Sequence, residues 1–553
     1  MLVIHKAKKP MPIIEVHKKK VVLPNYDYSD KYWPIISKLV FDEVGNTEIK
    51  EPNEVRETLK KCFSKLCEIF YEKIVNEKRA SFYLFCHCLH EDSMELWLLQ
   101  IKKIALGINE EDFAASRRIL KIILEQSTTF DLKGAPNFYN EITENLEDFT
   151  NHLEELLYIG SWCIQLSEFT ARSQLFPTST GLKVTDGVLD ILTYQPYPEL
   201  FKFVHQDMQR HNSKVALSNS LDDFKDVIKD NYGVTYDNLC SFIHQQNVRP
   251  PYKVGLTKIS PLIENIKSEL NGNGQFIEDF YSGLTVKREN CLSIEKCFYN
   301  NQSEFRHTFR PILELVVDNE KYNIIGYHKW LESMTLLPTN SFPFGIYPSE
   351  WKNHKELKEF IKIVDNTHDK ILEEPISKIL EGKKFPNDNN VVSFSQPKGD
   401  NINISKTVGD IDILFLDIEN KLIYVCECKH NRSRFDMNNW KRDYSNFKEK
   451  YETQLKRKVD WATDNKEVIA THFSDKYQKS FDLTEFEIRG TFIINAPTIY
   501  MYNGMYRAFT ITDFENLIDR NYIDLKFEFT NETTGDKTLI EYPYFDNTKE
   551  KLG

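Results

Sequence analysis

Asp412, Glu427 and Lys429 are two carboxylates and a lysine whose spacing could place them on one surface. They belong to the segment GDIDILFLDIENKLIYVCECK at 409–429. Two carboxylates that face each other repel, and burying both is costly unless a cation neutralises them. Carboxylate oxygens suit hard ions such as Mg²⁺ or Mn²⁺. A lysine beside such an ion could orient or deprotonate a water molecule, or stabilise charge that develops on a phosphate.

The element that must position these side chains is a predicted β-hairpin. Residues 410–417 and 422–430 are rich in Ile, Leu, Val and Tyr, and the turn IENK between them has a common hairpin length. If Asp417 faces Leu422, counting outward places the two acids directly opposite each other on one face of the hairpin. The lysine shares that face because side chains alternate along a strand. The alternative is a surface hairpin on which the lysine forms a salt bridge with one of the acids.

GDID, then fourteen residues, then ECK resembles the PD-(D/E)xK nuclease superfamily, which has the restriction-endonuclease-like fold. The resemblance covers residues 355–553. It implies that Asp412 and Glu427 are metal ligands together with the backbone carbonyl of Cys428. It also implies that Lys429 is the catalytic lysine and that the cofactor is Mg²⁺ (or Mn²⁺).

The same family places a glutamate on a helix that precedes the hairpin. LEEPISKIL at 372–380 matches this spacing, with Glu373 at the acidic position. Pro375 departs from the family pattern and disfavours helical geometry in the residue before it. The sequence therefore leaves both Glu373 and Glu374 open as the helix acid.

A helix that packs beside the site is expected after the hairpin. Aromatic and aliphatic residues recur every three or four positions, as such a helix requires: Trp440, Tyr444, Phe447, Tyr451 and Leu455. In many relatives this helix contributes a glutamine with a tyrosine one turn later. Gln454 is the candidate here, although Lys458 stands where the tyrosine would be.

The chain is acidic, with a net charge of −12, yet residues 429–458 hold ten Lys and Arg against four acids. One interpretation is a solvated helix face. The other is a surface that holds a phosphate backbone beside the site. The nearest candidates for phosphate contacts are Arg432, Arg434, Lys441 and Arg442.

Composition places the chain among ordinary multidomain proteins. A length of 553 residues is too great for one hydrophobic core, and 41% hydrophobic with 28% charged residues is typical of a soluble globular protein. No apolar run approaches the roughly 20 residues of a membrane span, and the first twenty residues lack a secretory signal. We therefore expect a cytoplasmic protein with no membrane partner.

The ten cysteines are dispersed, which favours free thiols in a reducing compartment. The cluster CHCLH at 86–90 could in principle bind zinc, but the single short cluster lacks the distant second pair of a structural site. Core packing on a helix is the expected role of these residues.

We expect three regions: a mostly helical region at 1–250, a small mixed region at 251–354, and an α/β domain at 355–553 with a mixed sheet flanked by helices. VRPPY at 248–252 marks the first boundary. Periodicity predicts helices at 54–77, 81–106, 111–125, 138–171, 184–194, 219–230, 235–246 and 511–520, and strands at 310–317, 321–327 and 491–497. Asn109 is the expected cap of the helix at 111–125.

The pattern as a whole favours a metal-dependent endonuclease that hydrolyses phosphodiester bonds, with DNA as the expected substrate. An RNase, and a non-cleaving nucleic-acid-binding or scaffold protein, remain open as alternatives. By analogy the appended helical region recognises a target, senses a trigger or builds an oligomer in restriction or anti-phage defence. A homo-oligomer or a partner defence protein is therefore expected. No GxxxxGK[ST] motif is present, so any nucleotide-driven translocation must come from another protein.

Overall fold

The computed structural model describes residues 12–134, 138–210, 220–247, 253–396, 401–434, 436–530 and 535–546. The VRPPY segment that was expected to mark a boundary lies outside these residues. The α-helices are α1 (Ser29–Val44), α2 (Pro52–Asn76), α3 (Ala80–Ile101), α4 (Glu110–Gln126), α5 (Phe138–Glu144), α6 (Leu146–Leu175), α7 (Tyr197–Arg210), α8 (Ser220–Tyr232), α9 (Tyr236–Asn247), α10 (Ile259–Leu270), α11 (Gly274–Gly283), α12 (Ile294–Tyr299), α13 (Tyr327–Asn340), α14 (Lys355–Thr367), α15 (Glu373–Gly382), α16 (Met437–Asn446), α17 (Glu452–Asp464), α18 (Lys466–Tyr477), α19 (Tyr500–Asn503) and α20 (Ile511–Ile518).

The strands of the described residues form several separate sheets. They are β1 (Ile13–Val16), β2 (Lys19–Val22), β3 (Glu48–Ile49), β4 (Asp131–Leu132), β5 (Thr180–Thr185), β6 (Val188–Thr193), β7 (Val254–Lys258), β8 (Thr285–Val286), β9 (Ile312–Val317), β10 (Glu320–Gly326), β11 (Asn387–Val391), β12 (Ser393–Phe394), β13 (Ile402–Asn403), β14 (Ile411–Asp417), β15 (Leu422–Lys429), β16 (Glu487–Ile494), β17 (Arg507–Thr510), β18 (Phe527–Thr530) and β19 (Lys537–Ile540).

The long predicted helices are confirmed as α2, α3 and α4, and the stretch at 138–171 is divided between α5 and α6. The predicted cap is also confirmed, since the Asn109 side chain accepts the backbone N–H groups of Glu111 and Asp112. The helix predicted at 184–194 is wrong, because this stretch forms part of the β5–β6 hairpin. Its turn residues Asp186 and Gly187 both have positive φ, the conformation that Asp-Gly supplies in a tight hairpin turn.

The chain divides into two compact units. The first is made of residues 1–170, 182–191 and 220–362, and the second of residues 171–181, 192–219 and 363–553. The region at 251–354 therefore belongs to the same unit as most of the N-terminal helices.

In the first unit, α2, α3, α4 and the N-terminal part of α6 bury their apolar faces in one large core. A sheet of order β4-β9-β10-β7, with β8 paired to β9, packs onto this core. The cysteines and histidines of CHCLH lie on α3, where Cys86, His87 and His90 are fully buried. All ten cysteines of the chain are unpaired thiols. Among the described residues, no helix is long and apolar enough to cross a membrane.

The second unit is built on a five-stranded mixed sheet of order β11-β14-β15-β16-β17. β14 is antiparallel to β11 and β15, whereas β15, β16 and β17 run parallel. Helices α16 to α18 cover one face of the sheet, and α15 and α20 cover the other. Because β14 and β15 are buried on both faces, their sequences are nearly continuous apolar runs. This is the mixed sheet with flanking helices that the sequence predicts.

Helix α7 also belongs to the second unit, although it comes from the first half of the chain. Leu200, Val204 and Met208 on its buried face pack in one cluster with Trp440. The hydroxyl of Tyr502 donates a hydrogen bond of 2.8 Å to Asp207 Oδ2. A fragment that begins near residue 355 would therefore lack part of this core.

Candidate functional site

The turn between β14 and β15 fixes how the two strands pair. The carboxylate of Asp417 accepts the backbone N–H of Asn420 at 3.2 Å and its side-chain amide at 2.9 Å. Both nitrogens of the Arg520 guanidinium fork bind the same carboxylate at 2.7 Å. The strands then pair with Asp417 opposite Leu422, so the predicted register is confirmed. A shift of one residue would turn every side chain of a strand to the other face of the sheet, so this turn decides which side chains form the site.

Counting outward from this register sets Asp412 against Glu427, on the sheet face covered by α17. Asp412 Oδ2 accepts the backbone N–H of Cys428 at 2.7 Å, which ties the carboxylate to β15. The side chains of Asp412 and Glu427 are 13% and 6% exposed. Burial, and then the charge of Glu427, raises the pKa of Asp412 to about 6. The two carboxylates therefore repel each other, and this arrangement favours the binding of a cation between them.

Lys429 lies beside this pair, as the sequence predicts. Its Nζ is 3.0 Å from Glu427 Oε1 and 3.1 Å from Asp369 Oδ2, and 5.0 Å from the ring centroid of Tyr451. Burial alone would lower the pKa of this lysine, but the neighbouring carboxylates outweigh it and raise the pKa above its ordinary value. The salt bridge of the alternative interpretation is thus present, but on an interior strand of the sheet and not on a surface hairpin.

Lys458 is the residue of the site that sequence reasoning missed. Its ammonium donates a hydrogen bond to Glu427 Oε2 and lies 3.4 Å from Asp412 Oδ1. The lysine side chain is only 5% exposed. It follows Leu455 and precedes Ala462 on the buried stripe of α17. The sequence does contain one indication of this role, because Lys458 lies three positions after Leu455 on the apolar face of the helix. A charged residue on such a face needs a buried partner of opposite charge.

Gly409 brings the chain into β14 beside this lysine. Its φ is +83°, a conformation that side chains with a Cβ rarely adopt, and a Cβ built there would lie 3.9 Å from Lys458 Cε. The glycine that opens GDID is therefore required by backbone geometry at the edge of the site.

The structure separates the two candidates for the helix acid. Glu373 is the first residue of α15, and Pro375 lies in the first helical turn, where the missing N–H is not needed. Glu373 is buried, and burial followed by the charge of Asp412 raises its pKa to about 7. Glu374 instead is 75% exposed and pairs with Lys378 at 2.6 Å. Only Glu373 lies within electrostatic reach of Asp412, and Pro375 does not interrupt the helix as the sequence suggested.

The helix after the hairpin contains a π-helical turn at Phe447–Tyr451, between α16 and α17. Tyr451 at the end of this turn lies against Lys429. Gln454, the expected glutamine, is partly buried one turn before Lys458. Its side chain forms no hydrogen bond with any described residue, so the structure brings Gln454 near the site without connecting it to the carboxylates.

The four basic residues expected to contact phosphate differ in accessibility. Arg432 is buried, with 3% of its surface exposed. Arg434 pairs with Asp443, whose pKa is raised by burial to about 6 although Arg434 opposes the shift. Lys441 and Arg442 are partly exposed on α16. Arg442 donates a hydrogen bond to Asn439 Oδ1 at 3.0 Å. The phosphate contacts of all four residues stay a prediction.

The donors of this site fit a hard divalent cation. Asp412 and Glu427 supply two buried carboxylates, and the ammonium of Lys458 shows that these carboxylates attract a cation. The backbone carbonyl of Cys428 stays a predicted third ligand. Among the described residues, no three His, Cys, Asp or Glu side chains lie close enough together to hold a metal ion. An ion here would therefore use few protein ligands and complete its shell with water or phosphate oxygens, as Mg²⁺ commonly does.

No protein-family model, curated protein or solved structure matches this chain. Membership of the PD-(D/E)xK superfamily therefore stays a prediction from the motif and the hairpin.

Proposed function

We propose that the chain is a metal-dependent endonuclease that hydrolyses phosphodiester bonds, with DNA as its substrate. The observation that carries this proposal is the opposed, buried pair Asp412 and Glu427 with the ammonium of Lys429 against Glu427. Buried carboxylates in this arrangement call for a cation, and a cation beside a lysine suits the negative charge of a phosphodiester.

Asp412, Glu427 and the carbonyl of Cys428 would hold Mg²⁺ or Mn²⁺. When bound, the ion supplies Lewis-acid activation of water and of phosphate oxygens. Two partly exposed basic residues, Lys441 and Arg442, would hold the backbone of the nucleic acid.

Lys429 serves this chemistry as a cation and not as a base. Its pKa is raised by the carboxylates that surround it, so the side chain remains protonated near neutral pH. A protonated lysine can orient water by donating to it and can stabilise the charge that develops on the phosphate. Glu373, with a pKa of about 7, is the described group better suited to accept a proton at neutral pH.

The test is digestion of plasmid DNA, phage DNA and RNA in parallel, with Mg²⁺, with Mn²⁺ and with chelator. We expect metal-dependent cleavage by the wild type, reduced roughly 100-fold or more in Asp412→Asn and in Lys429→Met. Glu419→Gln is the matched control, because Glu419 lies in the turn of the same hairpin with 83% of its side chain exposed. If both site variants cut as fast as this control, the assignment of the site is wrong. Cleavage of RNA alone would make the protein an RNase.

A second candidate function is a non-cleaving nucleic-acid-binding or scaffold domain. The contact of the Lys458 ammonium with both carboxylates favours it, because a lysine could replace the metal permanently. Under this alternative the wild type would bind DNA or RNA but leave both intact with every divalent ion tested.

We place the activity in restriction or anti-phage defence by analogy, with the first unit recognising a target, sensing a trigger or joining a second copy or a partner protein. A plating assay tests this setting. Cells that carry the wild type should reduce phage plating, and cells that carry Asp412→Asn should not. Equal plating on both strains would argue against a defence role that depends on this site.

A further inference from the structure

We infer that Lys458 and a divalent cation compete for the same two carboxylates, so that the lysine is the resident counter-ion of the metal-free site. This inference rests on the proposed function, since it concerns how the site admits its metal. It assigns to Lys458 a role that neither the motif nor the resemblance provides.

The contacts of Lys458 carry the inference. Its ammonium bonds to Glu427 Oε2 and lies 3.4 Å from Asp412 Oδ1, which places it between the two carboxylates. Among the described residues these are its only hydrogen-bond partners. Lys429 differs, because it keeps a third carboxylate, that of Asp369, at 3.1 Å. If a metal ion bound the carboxylate oxygens of Asp412 and Glu427, Lys429 would still have Asp369 as a partner. Lys458 would then lose both of its partners.

Packing holds Lys458 in this position. The residue lies between buried Leu455 and Ala462 on α17. Its side chain is only 5% exposed, so the aliphatic part is buried while the charged end reaches the carboxylates. The counter-ion is therefore a fixed part of the fold and not a passing surface contact.

Electrostatics make occupation by the lysine and the ion mutually exclusive. A divalent ion bound by both carboxylates would face the ammonium at close range in a site with little water to screen the repulsion. Conversely, without either cation, only Lys429 would remain to offset the charge of the two buried carboxylates. Removing the lysine should therefore weaken the metal-free protein and strengthen metal binding.

The experiment measures Mn²⁺ affinity by titration calorimetry on the full-length protein, together with the melting temperature in chelator and in Mn²⁺. The variants are Lys458→Met and Lys458→Gln, which remove the charge, and Lys458→Arg, which keeps it. Lys456→Met is the matched control, because Lys456 lies on the same helix, is 57% exposed and pairs with Asp460 instead of the site carboxylates. We expect Lys458→Met and Lys458→Gln to bind Mn²⁺ about tenfold or more tightly than the wild type.

The melting temperature provides a second measurement of the competition between Lys458 and the metal ion, and it does not depend on cleavage. In chelator, Lys458→Met should melt below the wild type, and adding Glu427→Gln to it should recover part of the loss because fewer charges are left unpaired. In Mn²⁺, Lys458→Met should gain more stability than the wild type does. The control Lys456→Met and the charge-keeping Lys458→Arg should follow the wild type in both conditions.

Unchanged or weaker Mn²⁺ affinity in both charge-removing variants would overturn the inference. If the wild type still binds Mn²⁺ and cuts DNA in that case, the proposed function stands and only the competition fails. If no protein, wild type or variant, binds Mn²⁺, both the competition and the metal-dependent function fail. Should Lys458→Met not fold in chelator, Lys458→Gln decides the question, since its amide still offers hydrogen bonds to the carboxylates.

Discussion

Lys429 and Asp369 are 60 positions apart in the sequence, yet Lys429 Nζ lies 3.1 Å from Asp369 Oδ2. The other oxygen of Asp369 accepts the backbone N–H of His430 at 2.7 Å. Asp369 therefore binds both the side chain of the lysine and the strand end that carries it. The turn before α15, which holds Asp369, is a structural support of the site that no motif indicates.

Asp369→Asn tests this support. The amide keeps the size of the side chain but removes one of the two carboxylates that the Lys429 ammonium contacts, the other being Glu427. We expect cleavage to fall roughly 10-fold to 100-fold while Mn²⁺ affinity changes little, because Asp369 does not touch Asp412 or Glu427. Steady-state cleavage and calorimetry on the same preparation measure both quantities. An equal loss of metal affinity would instead make Asp369 part of the metal site.

The pH dependence of the melting temperature of Glu373→Gln tests whether Glu373 has a raised pKa. The pKa of Glu373 is raised from 4.5 to about 7 by burial and by Asp412. An acid that holds its proton more tightly in the folded state stabilises the fold at low pH, and this contribution is lost as pH rises from about 4.5 to about 7. In chelator, the melting temperature of Glu373→Gln relative to wild type should therefore rise between pH 5 and pH 8.

Glu374→Gln is the control for that measurement. Glu374 is exposed, and its hydrogen bond with Lys378 lowers its pKa, the opposite direction. The melting temperature of Glu374→Gln relative to wild type should therefore not rise between pH 5 and pH 8. A parallel rise in both variants would mean that Glu373 is not the titrating group.

Gly409→Ala tests the entry into β14. At a φ of +83°, an added Cβ should cost about 1–2 kcal/mol of unfolding free energy. Gly382→Ala is the matched control, since no positive φ is required there and a Cβ would meet open space. Chemical denaturation of the two variants should therefore separate them. Equal stability would show that the backbone at 409 tolerates a side chain.

The basic residues should fall into two groups. In a non-cleaving Asp412→Asn background, Lys441→Ala should lower the slope of the logarithm of DNA affinity against the logarithm of salt concentration by about one. Arg434→Ala should instead lower the free energy of unfolding by about 1–3 kcal/mol, because buried Asp443 loses its main partner. Salt titrations of DNA binding and denaturation curves measure the two effects. The reverse pattern would assign Arg434 to the nucleic acid.

The hairpin could be derived from sequence because its geometry is local. Once the turn between Asp417 and Leu422 is placed, antiparallel pairing sets Asp412 opposite Glu427 by counting. The mixed sheet and the flanking helix faces also follow from apolar periodicity. The helix expected at 184–194 failed for an equally local reason, since the Asp-Gly turn signal was overlooked.

Contacts between distant segments could not be derived in this way. Which face of α17 meets the carboxylates depends on helical phase, and the π-helical turn at Phe447–Tyr451 adds a residue that shifts this phase. The sequence therefore places Lys458 only among the ten basic residues of 429–458, whereas the structure buries it against the carboxylates. The placement of residues 192–210 in the second unit depends on tertiary packing in the same way.

Calorimetric titration of the full-length protein with Mn²⁺ decides whether Asp412 and Glu427 form a metal site. We predict binding of a divalent ion that is lost in Asp412→Asn and in Glu427→Gln and kept in Glu419→Gln, whose side chain lies exposed in the turn of the same hairpin. Affinity that is unchanged in Asp412→Asn would contradict the claim that the opposed carboxylates of β14 and β15 form the metal site.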